Sequence, residues 1–303
     1  MSSAQARDGT DVAVTATGEY ECKVYYQDTN GTIRESVHLL SGWKNTSSST
    51  FSAKPASPLA VISFDSGKEV RVYCVSADGY LEEYGYNSKQ SSWWSGALTK
   101  LKFRVAEASK VAAVYWSEKN NIRVYAQDPD NKIQELVYTD DGGWRKGAVL
   151  PTAEVGSSLA AVRWEKSGTH LRVYYLAPGS TVKEHCYEDS RWFDGEFSIN
   201  NIAPYASIAA VVWRDSNSGV HLRVYVQDST SRIAVYQNDG GWKSQGTIQG
   251  TNLGTLRPGR RIAALEWKDG AEQRLYYQAD DNKVREEGQT DGGSSWHAGE
   301  YVS

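Results

Sequence analysis

The chain has 303 residues, 40% hydrophobic and 23% charged, enough apolar material for a sizeable folded core and too much for a disordered polymer. Its net charge is −4, with Lys and Arg spread along the whole sequence, which excludes the concentrated basic face that nucleic acid requires. No apolar run approaches transmembrane length, so no membrane insertion is expected.

The aromatic residues are biased, with 11 Trp and 19 Tyr against 5 Phe. Rings with a polar edge suit binding surfaces, where one part stacks and another hydrogen-bonds. The three cysteines, Cys22, Cys74 and Cys186, have no metal-type spacing and are expected to be small buried residues without disulfides. The start, MSSAQARDGTD, has no hydrophobic signal core. A cytoplasmic protein is expected, or one exported or held at the cell surface by an unconventional route. On that expectation the glycosylation sequons at Asn30 and Asn45 stay unused.

An internal repeat fills the chain. Arg-Val-Tyr, or a near variant, begins at Lys23, Arg71, Arg123, Arg172, Arg223 and Arg274, in steps of 48, 52, 49, 51 and 51 residues. Each copy opens with a buried-looking run: DVAVTA, PLAVISF, KVAAVYW, SLAAVRW, SIAAVVW and RIAALEW in chain order. The Arg-Val-Tyr run follows. Next comes a turn rich in Asp, Asn, Gly, Pro and Ser (DTNG, SADG, DPDN, APGS, DSTS, ADDN). A third run such as KIQELVY and a Gly/Ser/Asp loop come next, and then a tryptophan. Glycine stands three residues after Trp93, Trp144, Trp192 and Trp296, and four after Trp242, but Trp43 lacks it.

The runs are short, alternating, β-branched and aromatic, with turns of hairpin length and no helical periodicity. Four short strands at a period near 50 predict an all-β fold, a six-bladed β-propeller with four antiparallel strands per blade. Residues 1–303 are expected to form a single domain, with the first and last blades meeting so that strand edges are hidden.

Alternation along a strand puts Arg123 and Tyr125 on one face. Twelve residues after each motif start stands a glutamate, namely Glu35, Glu83, Glu135, Glu184 and Glu286, but Val235 in the fifth copy. A hairpin brings each pair near each other. One reading is an ion pair that glues strands within a blade. It is weighed against a second, because buried pairs seldom add net stability over apolar residues. Guanidinium, carboxylate and indole recur together, and that set suits a sugar. Arginine offers a planar fork of donors, the carboxylate accepts from hydroxyls, and the indole offers an N–H and a flat apolar face. Val235 shows that a blade tolerates loss of the carboxylate, which favours the binding reading.

With the six copies laid out, the chain resembles the fungal fucose-specific lectins over its whole length. The resemblance rests on tandem Arg-Val-Tyr-x-Gln, Ile/Leu-x-Glu and Trp-x-x-Gly elements, as in RVYAQ, KIQE and WRKG. It implies L-fucose, fucosylated oligosaccharides or glycoproteins as partners, and a possible homodimer. It also implies sites between blades, with Arg and Glu from one blade and Trp and Tyr from the next. The implied sites are Lys23 and Glu35 with Tyr86 and Trp93; Arg71 and Glu83 with Tyr138 and Trp144; and Arg123 and Glu135 with Tyr187 and Trp192. The others are Arg172 and Glu184 with Asn238 and Trp242, and Arg274 and Glu286 with His38 and Trp43. Lysine is a point charge without the fork, so the Lys23 site is expected to be weaker. Trp93 is preferred over Trp94 because it keeps the spacing to Gly96. The cleft with Arg223, Val235, Gln289 and Trp296 lacks carboxylate and tyrosine and is expected to bind weakly or not at all.

No catalytic residues, cofactor or metal are expected. One partial Asp-box-like stretch, SFDSGKEV, does not make a glycosidase, and a set of clefts with one Glu each does not supply a carboxylate pair. The histidines have no ligand spacing. A protein-binding propeller is the alternative, weakened by the absence of Trp-Asp endings and Gly-His pairs.

Overall fold

The computed structural model describes residues 5–45, 51–116, 120–217, 219–248, 256–257, 259–290, 292 and 295–302. The sequon at Asn45 and the residue three after Trp43 run into or lie outside this set. The first blade comprises β1 (Val12–Gly18), β2 (Glu21–Gln27), β3 (Ile33–Leu39) and β4 (Gly42–Asn45). The second has β5 (Ala60–Phe64), β6 (Glu69–Val75), β7 (Leu81–Asn87) and β8 (Ser92–Ser95), followed by a 3₁₀ turn at Ala97–Leu101. The third has β9 (Val111–Trp116), β10 (Asn121–Gln127), β11 (Lys132–Thr139) and β12 (Gly143–Thr152). The fourth has β13 (Leu159–Glu165), β14 (Thr169–Ala177), β15 (Thr181–Glu188) and β16 (Arg191–Ile199). The fifth has β17 (Ile208–Arg214), β18 (Val220–Gln227), β19 (Ile233–Asn238) and β20 (Trp242–Thr247). The sixth has β21 (Ile262–Trp267), β22 (Glu272–Gln278), β23 (Val284–Gln289) and β24 (Trp296–Tyr301).

Each blade is an antiparallel four-stranded sheet in sequence order, so no strand is exchanged between blades. The innermost strands β1, β5, β9, β13, β17 and β21 pack side by side in a ring, and β21 returns to β1. The expected six-bladed propeller is therefore the observed fold.

The turns follow from short polar side chains. Asp28 Oδ1 accepts the backbone N–H groups of Asn30 (2.9 Å) and Thr32 (3.0 Å). Asp128 and Asp228 do the same for the residues two and four further on. Such a side chain mimics a backbone turn and fixes the hairpin between second and third strands. The last residue of each turn, Gly31, Gly79, Asn131, Ser180, Ser231 or Asn282, has φ between 55° and 86°, the left-handed region that Gly and Asn enter most easily.

The core lies between blades. Each of six apolar clusters joins two neighbours; Val124, Ala126 and Leu136 of the third blade, for example, pack with Val75, Leu81 and Leu98 of the second. Another cluster joins Val12, Val24 and Tyr26 of the first blade to Tyr276 and Val284 of the sixth. Burying one such side chain contributes about 1.5–3 kcal/mol, so each seam outweighs any single polar contact.

The glutamine of Arg-Val-Tyr-x-Gln turns out to be structural. Gln27, Gln127, Gln227 and Gln278 are fully buried. Gln27 Nε2 donates to the carbonyls of Gly31, Ala53 and Lys54, and its Oε1 accepts Ala56 N–H. Gln278 does the corresponding work at the ring closure: it donates to Arg7 O (2.7 Å) and accepts from Gly9 N (2.8 Å) and Arg260 Nη1 (2.7 Å). Trp267 Nε1 adds a bond to Gly18 O across the same seam. Gln278→Ala should strand these buried groups and cost about 2–4 kcal/mol, read as a lower denaturation midpoint, whereas the exposed Gln245→Ala should be neutral.

Candidate functional site

The tyrosine of Arg-Val-Tyr sits directly opposite the glutamate. Tyr25 pairs Glu35, Tyr73 pairs Glu83, Tyr125 pairs Glu135, Tyr174 pairs Glu184 and Tyr276 pairs Glu286. These tyrosines are fully buried. Their hydroxyls donate to the carboxylates: Tyr125 to Glu135 at 3.2 Å, Tyr174 to Glu184 at 2.9 Å, Tyr73 to Glu83 at 3.3 Å, and Tyr25 to Glu35. The motif arginine lies two residues away on the same face, diagonal to the glutamate. Arg123 Nε is 3.4 Å from Glu135 Oε1, Arg172 Nε is 3.4 Å from Glu184 Oε1, and Arg274 Nε is 3.6 Å from Glu286 Oε1. Lys23 Nζ is 3.5 Å from Glu35 Oε2. Arg71 differs: its close carboxylate is Glu69, at 3.1 Å, and Glu83 acts on it from further off.

Four of the five motif arginines also lie over a ring. Arg123 stacks over Trp116 at 4.8 Å, Arg172 over Trp164 at 4.6 Å and Arg223 over Trp213 at 4.7 Å. Arg71 lies between Phe64 and Trp94. These aromatics end the first strand of the blade, except Trp94, and sequence reasoning treated them only as core. Their signal was present: four of the opening runs end in Trp and one in Phe.

The next blade supplies the other wall. Its tryptophan meets the buried tyrosine edge to face in all six clefts. Tyr25–Trp93, Tyr73–Trp144, Tyr125–Trp192 and Tyr174–Trp242 are each 6.2 Å apart, Tyr225–Trp296 5.9 Å and Tyr276–Trp43 6.1 Å. Trp144 Nε1 reaches across to donate to Glu83 Oε2 at 3.3 Å. Trp43 Nε1 is buried and has no hydrogen-bond partner among the described residues. Trp93 faces Tyr25 across the cleft, whereas Trp94 lies under Arg71 of its own blade. Beside the tryptophans stand Tyr86, Tyr138, Tyr187 and His38, with ring centroids 5.1–5.5 Å away. Arg172, Glu184, Asn238 and Trp242 line one open cleft of ≈ 820 Å³. Arg172 and Glu184 are thus sunk in the blade yet line an open cleft.

The geometry explains Trp-x-x-Gly. A Cβ on Gly96, Gly147 or Gly195 would stand 2.2–2.3 Å from the carboxylate oxygen of Glu83, Glu135 or Glu184, and one on Gly299 2.6 Å from Glu286. The outer strand needs glycine there because the carboxylate lies against its backbone. Ala148 N–H and Leu98 N–H also donate to Glu135 and Glu83, each at 3.1 Å.

Burial pushes Glu83, Glu135, Glu184 and Glu286 above the ordinary carboxylate range, while the nearby arginine and the N–H and O–H donors pull back part of the rise. Burial likewise lowers Arg123, and Glu135 opposes it. The facing tyrosines are raised first by burial and then by the carboxylate, so they remain phenol donors.

Two expectations need correction. First, three clefts hold a second carboxylate, with Glu69, Glu188 and Glu272 beside Arg71, Arg172 and Arg274, and Asp239 sits beside Arg223 where the glutamate is missing. Each is engaged with its arginine. Second, the tolerance of Val235 does not show that the blade can spare an acceptor. In that cleft the hydroxyl of Tyr225 turns instead to Gln273 Oε1 on the next blade. The equivalent residue, one before the motif start, is Cys22, Val70, Ile122, Leu171 or Leu222 elsewhere. Loss of the carboxylate is offset by a new amide, and Gly246 is no longer crowded by anything within 4 Å. Arg223 is closed on Asp239 through both Nη atoms, at 2.8 and 3.2 Å, and Trp296 is buried at 7% exposure. The cleft is nonetheless wide, at ≈ 1100 Å³.

The three cysteines are buried and free, and burial raises the Cys22 thiol to about 12. No group of three or more metal-ligating side chains occurs among the described residues.

Comparison with known proteins places this architecture. The model of the fungal fucose-specific lectins matches residues 7–250 and 170–302. A fucose-specific lectin of Aspergillus oryzae is 39% identical over 146 residues, 47% of this chain and 46% of that protein; one from Aleuria aurantia is 36% identical over 162 residues, 50% of each. The matched stretches thus span about half the length of these curated relatives. The crystal structure of the Aleuria aurantia lectin, a six-bladed propeller, superposes with a TM-score of 0.86 at 29% identity, covering 99% of this chain and 97% of that one. With family motifs in every blade and matches that together run from residue 7 to 302, the chain belongs to the fungal fucose-specific lectin family.

Proposed function

We propose that the protein is a non-catalytic lectin that binds L-fucose and fucosylated glycans in the clefts between blades. The observation that carries this reading is the convergence, five times around the ring, of a cation and a carboxylate from one blade with an indole from the next. The relatives named above are fucose-specific lectins, and a structural neighbour with a TM-score of 0.85 and 29% identity, the lectin SapL1, was solved with α-methyl fucoside.

Each group has a role. The outer Nη edge of the arginine donates to neighbouring hydroxyls, and the glutamate oxygen not spent on tyrosine accepts from one. The indole, with Tyr86, Tyr138 or Tyr187 beside it, packs against the apolar C–H face and the methyl group. A monosaccharide offers little area and must shed bound water, so each site is modest. Several sites engaging one surface raise the apparent strength by roughly 10²–10⁴-fold when geometry permits.

The clefts are unequal. Lys23 lacks the fork. In the cleft of Arg223 the arginine is paired with Asp239, the carboxylate is gone and the indole is buried. Titration calorimetry with methyl α-L-fucoside should therefore report fewer sites than blades, with one weak class. Crystals soaked in fucoside should leave the Arg223 cleft empty. Full occupancy there would contradict this account, and release of product from a fluorogenic fucoside would replace it with an enzyme.

Glu135→Ala should remove one site. It should also cost about 1–3 kcal/mol, because Tyr125 O–H and Ala148 N–H lose their acceptor. A stability loss with unchanged fucoside stoichiometry would mean that the ion pair serves only the blade. Gly147→Ala, which drives a Cβ onto the same carboxylate, should lose the same site.

Acid should switch the sites off early. Burial raises these carboxylates, so on acidification they take up protons at a higher pH than a free glutamate and cease to accept from hydroxyls. A carboxyl whose folded pKa lies above its unfolded one favours the folded state more as pH falls through it, so this protonation does not itself unfold the protein. Fucoside affinity should fall with pH while the circular dichroism spectrum is unchanged. Affinity that holds down to the pH range of free glutamate would show that the carboxylates are not the acceptors.

A further inference from the structure

The inner strands converge on the propeller axis, and at one mouth the residue just before each strand follows a rule. Asp11 accepts the N–H of Leu59 on the next blade at 3.1 Å; Ser158 Oγ accepts Ile208 N–H at 2.9 Å; Ser207 Oγ accepts Ile262 N–H at 2.8 Å. Each is an acceptor tying one blade to the following one. The other three blades break the rule: the second has Pro58, without a side-chain acceptor, and the third and sixth have side chains that can only donate, Lys110 and Arg261.

Arg261 leans across the axis. Its Nη1 donates to Ser158 Oγ at 2.7 Å and its Nη2 to Leu159 O at 3.2 Å, and its Nε lies 3.2 Å from Asp11 Oδ1. Asp11 is thereby spent, since it also accepts from Val12 and Leu59. The Lys110 carbonyl accepts from Ser109 Oγ, but its ammonium has neither a hydrogen bond nor an ion pair within contact distance among the described residues; burial lowers its pKa and the Asp11 carboxylate opposes that. Lys110 lines the same small cavity of ≈ 190 Å³ as Arg261 and Ser158. Lys54 adds a third positive charge nearby, its Nζ donating to Glu107 O at 2.7 Å. The Glu107 carboxylate, on an exposed turn residue, is the other anion of this neighbourhood.

A strained residue roofs the cavity. The residue two before the motif position has left-handed backbone in five blades, at Gly9, Ala56, Gly156, Tyr205 and Gly259. Tyr205, with φ 56° and 60% exposure, is the bulky exception. Its ring edge lies by Gly156 and its Cβ by Gly259, whose absent Cβ atoms would meet them at 3.6 and 4.0 Å. A large side chain in this region is an outlier that the surroundings must enforce, and such strain concentrates at ligand clamps.

We propose that this mouth is an anion site, separate from the sugar clefts, that takes one tetrahedral oxyanion of the phosphate or sulfate type, free or as an ester. Lys110 supplies the uncommitted charge, Arg261 the N–H groups not spent on the fold, and Tyr205 the cover. A water occupies about 30 Å³ of liquid, so the cavity has room for such an ion with a few waters. The positive charges are not balanced locally, and the low-dielectric walls strengthen their pull on an anion.

The test is calorimetry of the full chain with inorganic phosphate at low ionic strength, followed by competition with mannose 6-phosphate. One phosphate per chain is expected, at least tenfold weaker in Lys110→Met and retained in Lys110→Arg, with methyl fucoside stoichiometry the same in all three. That last readout shows that each variant is folded and that the two kinds of site are independent. Displacement by mannose 6-phosphate assigns the site to esters, and failure to displace assigns it to the free ion. No binding of phosphate at millimolar concentration, or equal binding in Lys110→Met, overturns the proposal.

Discussion

No blade of this protein buries a core of its own. Each sheet presents apolar side chains to both neighbours, and the six clusters form only when two blades meet. Everything else follows from that constraint. The ring must close, so the last blade's Gln278 takes hold of Arg7 and Gly9 beside the first blade. Every seam also ends in a cleft with walls from two blades. A site built there holds only when the propeller is assembled, so folding and recognition share one condition.

The same seam settles how a charged group can be kept so deep. Removing a carboxylate from water is expensive, and an arginine alone seldom repays it. Here the cost is spread over a phenol, one or two backbone N–H groups and a guanidinium that is itself stacked on an indole. The ion pair is real, and it does hold strands. It does not compete with a binding role, because the same contacts that hold the carboxylate also aim it. The tyrosine fixes one oxygen, the glycine of the outer strand removes the side chain that would displace it, and the guanidinium is itself held by the carbonyl of the residue before it. Such preorganisation lowers the side-chain entropy lost when a ligand is bound.

The sequence made the architecture legible because the repeat is dictated by backbone and packing: alternation for strands, Asp and Gly for turns, a period for blades. It also made the cross-blade partners legible, since fixed spacing from a repeated motif survives small insertions. Three things were hidden for physical reasons. The role of Tyr125 could not be separated from ordinary core burial, although its shared face with Arg123 was visible. The glutamine of the motif looked like part of a ligand signature and is instead a staple, because its partners lie in a loop some 26–29 residues downstream. The second carboxylates and Asp239 arise at positions that vary from blade to blade, two before the arginine in some and sixteen after it in others, so no repeated spacing announced them.

The fifth cleft shows how far the repeat can drift. Replacing a glutamate by Val235 would leave the buried hydroxyl of Tyr225 without an acceptor, a loss of about 1–3 kcal/mol. The chain meets that loss from the opposite wall: Gln273 stands where other blades have an apolar residue, and it takes the proton. The amide carries no charge to desolvate, so the hydroxyl is satisfied at lower cost than by a carboxylate. With the carboxylate gone the outer strand no longer needs glycine at the third position, and there the Trp-x-x-Gly spacing has slipped by one residue. Three changes on two blades thus form one exchange, in which a charged acceptor suited to a ligand gives way to a neutral one suited to the fold. In the sequence Val235 and the displaced Gly246 stand as separate departures from the repeat; in the structure they join Gln273 as parts of one substitution.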